Sequence, residues 1–299
     1  MEPAVTYYRP ASRELPIHVN YRVYSGRNLQ GMGFTYVATF FSILLVYRGQ
    51  VQTSISGNPV VLTAGDMRIF LKNDLHHLQC IKEDTRYVQI SLSPEALTLP
   101  KDHFLNQRFV QPLHDEKLDC PRLLRPGDPG YDAIYSHMHR LDCRREGQEC
   151  YPADLFAIAV SLCAALLPYC TTERERSYGT EDAVRTCLTY MSDHSSEKIT
   201  LEQLAQLVHL HPNYLCAVFK KFTGKTIFDH LTRQRLRRAI KRLRYTQLTV
   251  QQIAEKTGFP SVSFFSRKFR SVYGCSPAQY RKLHGNPYPE IESEEQIPI

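Results

Sequence analysis

Three things are missing from this sequence, and each absence closes off a class of function. None of the nine cysteines stands in a Cys-x-x-Cys pair, so a zinc ribbon or a dithiol redox site has no support. No apolar run approaches the ~20 residues a membrane-spanning helix needs; Phe40 to Val46 is too short and reads as a buried strand. No aspartate or glutamate occurs between Asp229 and Glu255, although that interval is rich in arginine. An odd cysteine count with no signal peptide reads as reduced thiols in a cytoplasmic protein. Cys143 and Cys150, like Cys163 and Cys170, are seven residues apart, which suits either buried small apolar groups on helices or a thiol sensor.

A length of 299 residues suggests about two domains, and charge divides them. Residues 197–285 hold 17 Lys and Arg against 4 Asp and Glu, or +13; the whole chain is +7, so the remainder is −6. A basic module joined to a mildly acidic one suits a polyanion-binding part and a part that does not bind phosphate.

The basic part contains a degenerate repeat. Thr200, Leu204 and Ala205 match Thr249, Ile253 and Ala254 at an offset of 49; Phe219 and Gly224 match Phe269 and Gly274 at 50. The extra residue falls where a turn would sit, so each copy is one supersecondary unit. Thr200 with Gln203, and Thr249 with Gln252, are capping boxes. Leu201, Leu204, Ala205 and Val208 form an apolar helical face, His209 to His211 breaks it, Pro212 opens a second helix and Gly224 ends that one. In the second copy Gly258 to Ser261 makes the turn and Phe264, Phe265, Phe269 and Val272 pack the following helix. Two helix-turn-helix units result. The helix joining them, Ile227 to Tyr245, carries seven basic residues from Arg233 to Arg244 opposite a stripe of Leu231, Leu236, Ala239, Ile240 and Leu243. Its single sign of charge reads as a phosphate-facing surface.

At these residues the chain resembles the AraC/XylS family of bacterial transcription regulators. The resemblance covers about 181–282 and rests on Ile253 to Phe259, Ser263 to Phe269 and Gly274 to Arg281. It implies seven helices, with two recognition helices in successive major grooves on one face of double-stranded DNA. Recognition helices on one face should sit about 34 Å apart, and the joining helix has about that reach at ~1.5 Å per residue. Candidate DNA contacts are Asn213, Tyr214, Cys216, Ala217, Lys220 and Lys221 in the first unit, Arg237 and Arg238 between the units, and Ser261, Ser263, Ser266, Arg267, Lys268 and Arg270 in the second. Asn213 suits adenine and Ala217 a thymine methyl. Arg267 suits a guanine edge, a phosphate or a role in fixing the helix. Arg235 aligns with a recurrent arginine of the family and is expected to be structural, whereas Arg242 stands where the family usually has leucine.

From His18 to Leu92 the texture is β: 18–24, 34–47, 50–55, 60–62, 67–71, 78–81 and 87–92, with turns at Ser56 to Pro59 and Gly65–Asp66. Many short strands at this spacing suggest a barrel or double-sheet roll. Arg48–Gly49, Gly57, Leu62 to Asp66 and His76 resemble the cupin-type sensor domain found in many AraC-like regulators. A metal-binding cupin supplies four ligands. Here the corresponding positions hold Tyr36, Ala38, Ser42 and His76, so one ligand survives and no metal or cofactor is implied. A small-molecule effector would instead be lined by Tyr24, Tyr36, His76, Tyr87 and Gln89, and Arg22 could pair with an anion or with a surface acid. Residues 94–129 read as irregular. Tyr131 to Arg145 and Leu155 to Leu167 read as helices, the second apolar nearly all round and therefore buried on more than one side, by this barrel or by a second subunit.

The expected architecture is α+β and multidomain. Residues 1–170 form a cupin-like effector and dimerisation domain, with the barrel at about 17–95 and helices at about 129–169. Residues 171–180 form a linker, 181–285 the DNA-binding domain and 286–299 a polar acidic tail. The resemblance implies a non-enzymatic, homodimeric, cytoplasmic regulator without a membrane partner. It would read a promoter or operator, engage RNA polymerase, and more often activate than repress. Two alternatives stay open: a constitutive DNA-binding regulator whose barrel only dimerises, and a cupin enzyme fused to a DNA-binding domain. Missing metal ligands weigh against the second.

Overall fold

Alternation along the N-terminal strands has to serve two cores at once, because one sheet is covered on both faces. The computed structural model describes residues 4–5, 17–25, 34–38, 40–55, 58–92, 94–97, 99–142, 152–172 and 179–285. The chain divides into two units, Met1–Tyr178 and Gly179–Ile299.

In the first unit the strands are β1 (Ala4–Val5), β2 (Ile17–Ser25), β3 (Phe34–Val37), β4 (Phe41–Arg48), β5 (Val51–Ile55), β6 (Asn58–Leu62), β7 (Met67–Phe70), β8 (Leu75–Cys80), β9 (Thr85–Leu92) and β10 (Leu123–Leu124). They form a six-stranded sheet in the order β1-β2-β9-β4-β7-β10 and a four-stranded sheet in the order β3-β8-β5-β6, with every pairing antiparallel. Leu44, Val46, Phe70 and Tyr87 of the first sheet pack with Val51, Leu62 and Cys80 of the second. The alternate residues Phe41, Ile43, Leu45, Met67, Ile69, Val88, Ile90 and Leu92 turn the other way. There they meet a helical layer that includes α1 (Gln111–His114), α2 (Tyr131–Asp142) and α3 (Pro152–Leu166). Phe41 packs edge-on against Phe109, ring centroids 5.6 Å apart, a geometry favoured by the ring quadrupoles.

Several sequence expectations change here. The 34–47 run is two strands in different sheets. β6 starts at Asn58, so Pro59 lies inside a strand rather than in a turn; β6 is the edge of its sheet, where a missing N–H is tolerated. β8 begins at Leu75 and takes in His76. The stretch expected to be irregular holds a π-helical segment, Asn106–Val110, running into α1. Leu105, Phe109 and Leu113 are buried at spacings of four, a helical period that the neighbouring prolines and charges masked. α3 buries one face through Leu155, Ile158, Ala159, Leu162, Cys163 and Leu166, while the small Ala157 and Ala164 stay exposed.

The described residues of the second unit form seven helices: α4 (Thr180–Asp193), α5 (Leu201–Leu207), α6 (Pro212–Thr223), α7 (Ile227–Tyr245), α8 (Val250–Lys256), α9 (Val262–Tyr273) and α10 (Pro277–His284). Thr180, assigned by sequence to the linker, is the first helical residue of α4, after Gly179. Both capping boxes form: Gln203 N donates to Thr200 Oγ1 at 3.2 Å and Thr200 N to Gln203 Oε1 at 2.9 Å, with 3.1 and 2.8 Å for the Thr249 and Gln252 pair. Ser276 and Gln279 close a third box. In both copies the first helix ends left-handed, at His209 (φ 53°) and Gly258 (φ 79°). The next amide then returns to the helix, Leu210 N to Ala205 O at 3.0 Å and Phe259 N to Ala254 O at 2.9 Å. Since Leu210 matches Phe259 while the next cap, His211, matches Ser261, the inserted residue is Pro260. α7 is shared. Its Leu236, Ala239 and Leu243 pack against Ile253, Ala254, Phe259, Phe265 and Phe269 of the second copy.

One asymmetry in the repeat is steric. A Cβ on Gly258 would lie 2.7 Å from the carbonyl oxygen of Ser196 and 2.8 Å from that of Ser195, whereas His209 is exposed. Gly258→Ala is therefore expected to lower stability by more than the ~1–3 kcal/mol of its left-handed backbone alone. His209→Gly, which relaxes the same conformation without any clash to relieve, should change stability by less than ~1 kcal/mol. Urea denaturation followed by helical circular dichroism ranks the two; equal losses would mean that the 195–196 loop does not press on Gly258.

Candidate nucleic-acid interface and barrel interior

α6 and α9 occupy the recognition position of each helix-turn-helix. α6 buries Leu215, Val218 and Phe219 and turns Asn213, Tyr214, Cys216, Ala217, Lys220 and Lys221 to solvent. On α9, Phe265 and Phe269 are buried; Ser263, Arg267 and Arg270 are exposed, and Ser266 and Lys268 are half-buried. Ser261 is diverted from base reading in part, because its Oγ accepts from Phe264 N at 3.1 Å and caps the helix. His211 does the corresponding work in the first copy, its Nδ1 accepting from Asn213 N at 3.3 Å. Arg267 makes no hydrogen bond or ion pair among the described residues; its guanidinium carbon lies 5.5 Å from the Phe264 ring centroid. That contact orients the side chain without using its donors.

The basic face of α7 splits into two roles, of which the sequence set apart only that of Arg235. Arg235 Nε donates to Ser195 O at 2.7 Å and its Nη2 to Glu197 O at 2.6 Å. Arg238 Nη2 donates to Ser192 O at 2.6 Å. Both guanidiniums grip carbonyls at the α4–α5 junction, which lack intrahelical donors. Burial pulls both pKa values below the usual arginine range, and neighbouring Arg242 adds to the effect on Arg238. Arg235 is thus structural, as its alignment implied. For Arg238 the phosphate role expected of the Arg237 and Arg238 pair narrows, leaving Arg237 as the exposed member. In the second copy Arg281 of α10 does the same job: Nε to Leu243 O at 3.3 Å and Nη2 to Leu248 O at 2.5 Å, across the α7–α8 junction.

The space between the two sheets of the first unit is the other candidate site. Register places Leu44 beside both Arg68 and Gln89, and Val46 beside Tyr87, so these residues share the inner face. His76, Tyr87 and Gln89 are buried there at 1, 2 and 6% exposure. The side chains of Tyr24, Tyr36 and Arg22 lie outside the described residues, although the backbones of Tyr24 and Tyr36 pair with Thr85 and His76. Sequence reasoning missed Arg68, which is 2% exposed. Its Nη1 donates to the carbonyls of Ile69 and Arg122, its Nη2 reaches Ser54 O at 3.4 Å, and its guanidinium sits 4.5 Å from the Phe70 ring centroid. His76 stacks on the same ring at 3.5 Å. Desolvation pulls the Arg68 pKa down to about 10. Its Nε and the Thr53 hydroxyl are buried without a hydrogen-bond partner. The clue was a charged residue in a strand that is apolar on both faces. Among the described residues no three His, Cys, Asp or Glu side chains gather as a metal site would require, and no helix is long and apolar enough to cross a membrane.

Two family models match the chain in the same places. One described as a helix-turn-helix domain covers residues 204–283, and one described as an AraC-like ligand binding domain covers 25–119. The chain belongs to the AraC family. Among relatives of this AraC-family chain, the uncharacterized HTH-type transcriptional regulator YdeC of Bacillus subtilis is 22% identical over 91% of this chain and 93% of its own. The uncharacterized HTH-type regulator YdiP of Escherichia coli is 30% identical over 42% of this chain and 41% of its own. The match thus spans about two-fifths of YdiP. The solved C-terminal domain of AraT, a response regulator from Geobacillus stearothermophilus, is 30% identical over 38% of this chain and 93% of that domain, with a TM-score of 0.35.

Two predictions follow from this division of labour. Arg237→Ala should weaken binding alike on specific and random DNA and reduce the salt slope by about one. Arg235→Ala or Arg281→Ala should lower the melting temperature of the helical unit first. Salt-dependent anisotropy beside thermal melts separates the two classes. For Arg267, a guanine contact predicts that Arg267→Ala loses ~1–3 kcal/mol and relaxes preference at one base pair. A phosphate contact predicts a uniform loss instead. Binding to a library of single-base operator variants distinguishes them, and a lower melting temperature would point to a structural role.

Proposed function

We propose that this chain is a sequence-specific DNA-binding transcription regulator whose N-terminal barrel binds a small-molecule effector. The observation that carries the reading is the second unit. Two capped helix-turn-helix units share α7, and each turns a mostly unengaged recognition helix to solvent on a +13 segment. Phosphate contacts from Lys220, Lys221, Arg237, Lys268 and Arg270 would set register on double-stranded DNA. Asn213, Tyr214, Cys216, Ala217, Ser263, Ser266 and Arg267 would meet base edges. Five of these seven offer no polar group beyond a hydroxyl or thiol, so α6 reads little by hydrogen bonds apart from Asn213, and α9 depends on Arg267.

For the barrel, Tyr87, Gln89 and His76 are proposed to line the effector together with Arg68 and Thr53, whose spare donors a polar ligand group would satisfy. Dimerisation through the helical layer, contact with RNA polymerase, activation more than repression, and cytoplasmic residence complete the proposal.

An effector shifts such a protein only through different affinity for its two states. The fragment 180–285 is expected to bind operator DNA without any effector, more weakly than a dimer. Full-length protein should show mutually dependent affinities for effector and DNA. The measurement is titration of fluorescent operator with each protein, after a thermal-shift screen of metabolites has identified a binder. Equal effector affinity with and without DNA would leave a DNA-binding protein whose barrel serves only for dimerisation. Failure of the fragment to bind DNA would remove the reading altogether.

A further inference from the structure

We propose that Cys120 and Cys170 are a paired oxidation site that closes to a disulfide under peroxide. They lie 50 residues apart in the chain and meet through an isolated antiparallel bridge between Asp119 and Thr171. Asp119 N donates to Thr171 O at 2.8 Å and Thr171 N to Asp119 O at 2.9 Å. Because these two residues exchange both hydrogen bonds, the next pair along, Cys120 with Cys170, is a directly opposed non-hydrogen-bonded pair. In such a pair the Cα atoms stand about 4.5 Å apart with side chains on the same face, inside the ~4.4–6.8 Å a disulfide accepts without backbone movement. Both thiols are free, and the Cys170 side chain is close enough to Cys120 to perturb it.

The two sulfurs are unequal in a way that orders the chemistry. Cys120 is 7% exposed, and the Cys170 thiol together with burial holds its pKa well above the usual thiol range. Cys170 is only half-buried and donates to Leu166 O at 3.3 Å. Cys170 is therefore the thiol that meets solvent oxidant. Its thiolate attacks hydrogen peroxide: an S–O bond forms, the O–O bond breaks, and the departing hydroxide takes a proton as water, leaving a sulfenic acid. Cys120 then attacks the Cys170 sulfur. The S–S bond forms, the S–O bond breaks, and the second hydroxide leaves with the Cys120 proton as water. Two thiols lose two electrons in all, and one peroxide becomes two waters. Arg122, whose Nη1 lies 3.9 Å from Cys120 Sγ, favours the thiolate in the second step. A dithiol reductant reverses the bond by exchange.

The test uses the full chain. Reduced protein is treated with about one equivalent of hydrogen peroxide, alkylated under denaturing conditions, digested and mapped by mass without reduction. The expected product is a single linked peptide pair, Cys120 with Cys170, two hydrogens lighter than the free peptides, while the other seven cysteines are alkylated. Dithiothreitol should abolish the link, and the oxidised protein should melt several degrees higher, because a closed loop of this length restrains the unfolded chain. Cys120→Ser should leave a sulfenic acid at Cys170 that dimedone captures; Cys170→Ser should leave Cys120 alkylatable after peroxide. If either variant misfolds, the wild-type map decides alone. Cys120 remaining alkylatable while Cys170 goes on to sulfinic acid, or a link to any other cysteine, would overturn the proposal.

Discussion

A single helix has to satisfy two cores, and much of the second unit follows from that constraint. α7 buries Ile227 and Leu231 near its start and Leu236, Ala239 and Leu243 further along, the latter group against the second helix-turn-helix. Its continuous hydrogen bonding from Ile227 to Tyr245 makes it a spacer of about 28 Å at ~1.5 Å per residue. The offset between α6 and α9 is thereby built into a continuous helix rather than a loop. A helix so rich in arginine resists burial through its own repulsion. The solution is to spend part of the charge internally, on carbonyls.

Those carbonyls explain why the repeat works as more than two adjacent motifs. Each copy begins at a helix C-terminus with orphan acceptors, and each is closed by an arginine from the helix that follows the recognition helix: Arg235, with Arg238, for the first and Arg281 for the second. Hydrogen bonds from a charged donor to a carbonyl are among the stronger ones, and here they tie helices that are distant in sequence. The repeated unit is therefore longer than the helix-turn-helix. It includes the preceding helix end and the following staple.

The first unit solves a different problem with the same economy. β4, β7 and β9 are apolar on both faces because one face meets the helical layer and the other meets the second sheet. Of the polar groups that remain inside, which include Arg68, His76, Gln89 and Thr53, Arg68 Nε and the Thr53 hydroxyl stand out, because burial without a partner is costly. Arg68 is partly compensated by three carbonyls and by Phe70, and what is left over gives the interior its chemical character.

Local rules made the helical unit readable in the chain itself. Capping boxes, left-handed helix ends and the 49-then-50 offset depend on neighbours within a few residues, so Thr200, Thr249, Gly224 and Gly274 announced their helices, and the apolar stripe announced α7. The strands were readable as strands for the same reason, through alternation at 18–24 and 87–92. Boundaries failed where local signals conflicted, as at Pro59, tolerated only because β6 is a sheet edge, and at Leu105 to Leu113, where a helical period hid among charges and prolines. The use of Arg238 as a second staple, the inward placement of Arg68, and the meeting of Cys120 with Cys170 could come only from the tertiary structure. Each depends on which backbone carbonyl, ring or thiol lies opposite. Those partners are 33 to 54 residues away for the arginines' distant contacts, a separation at which composition and periodicity carry no record of direction or distance.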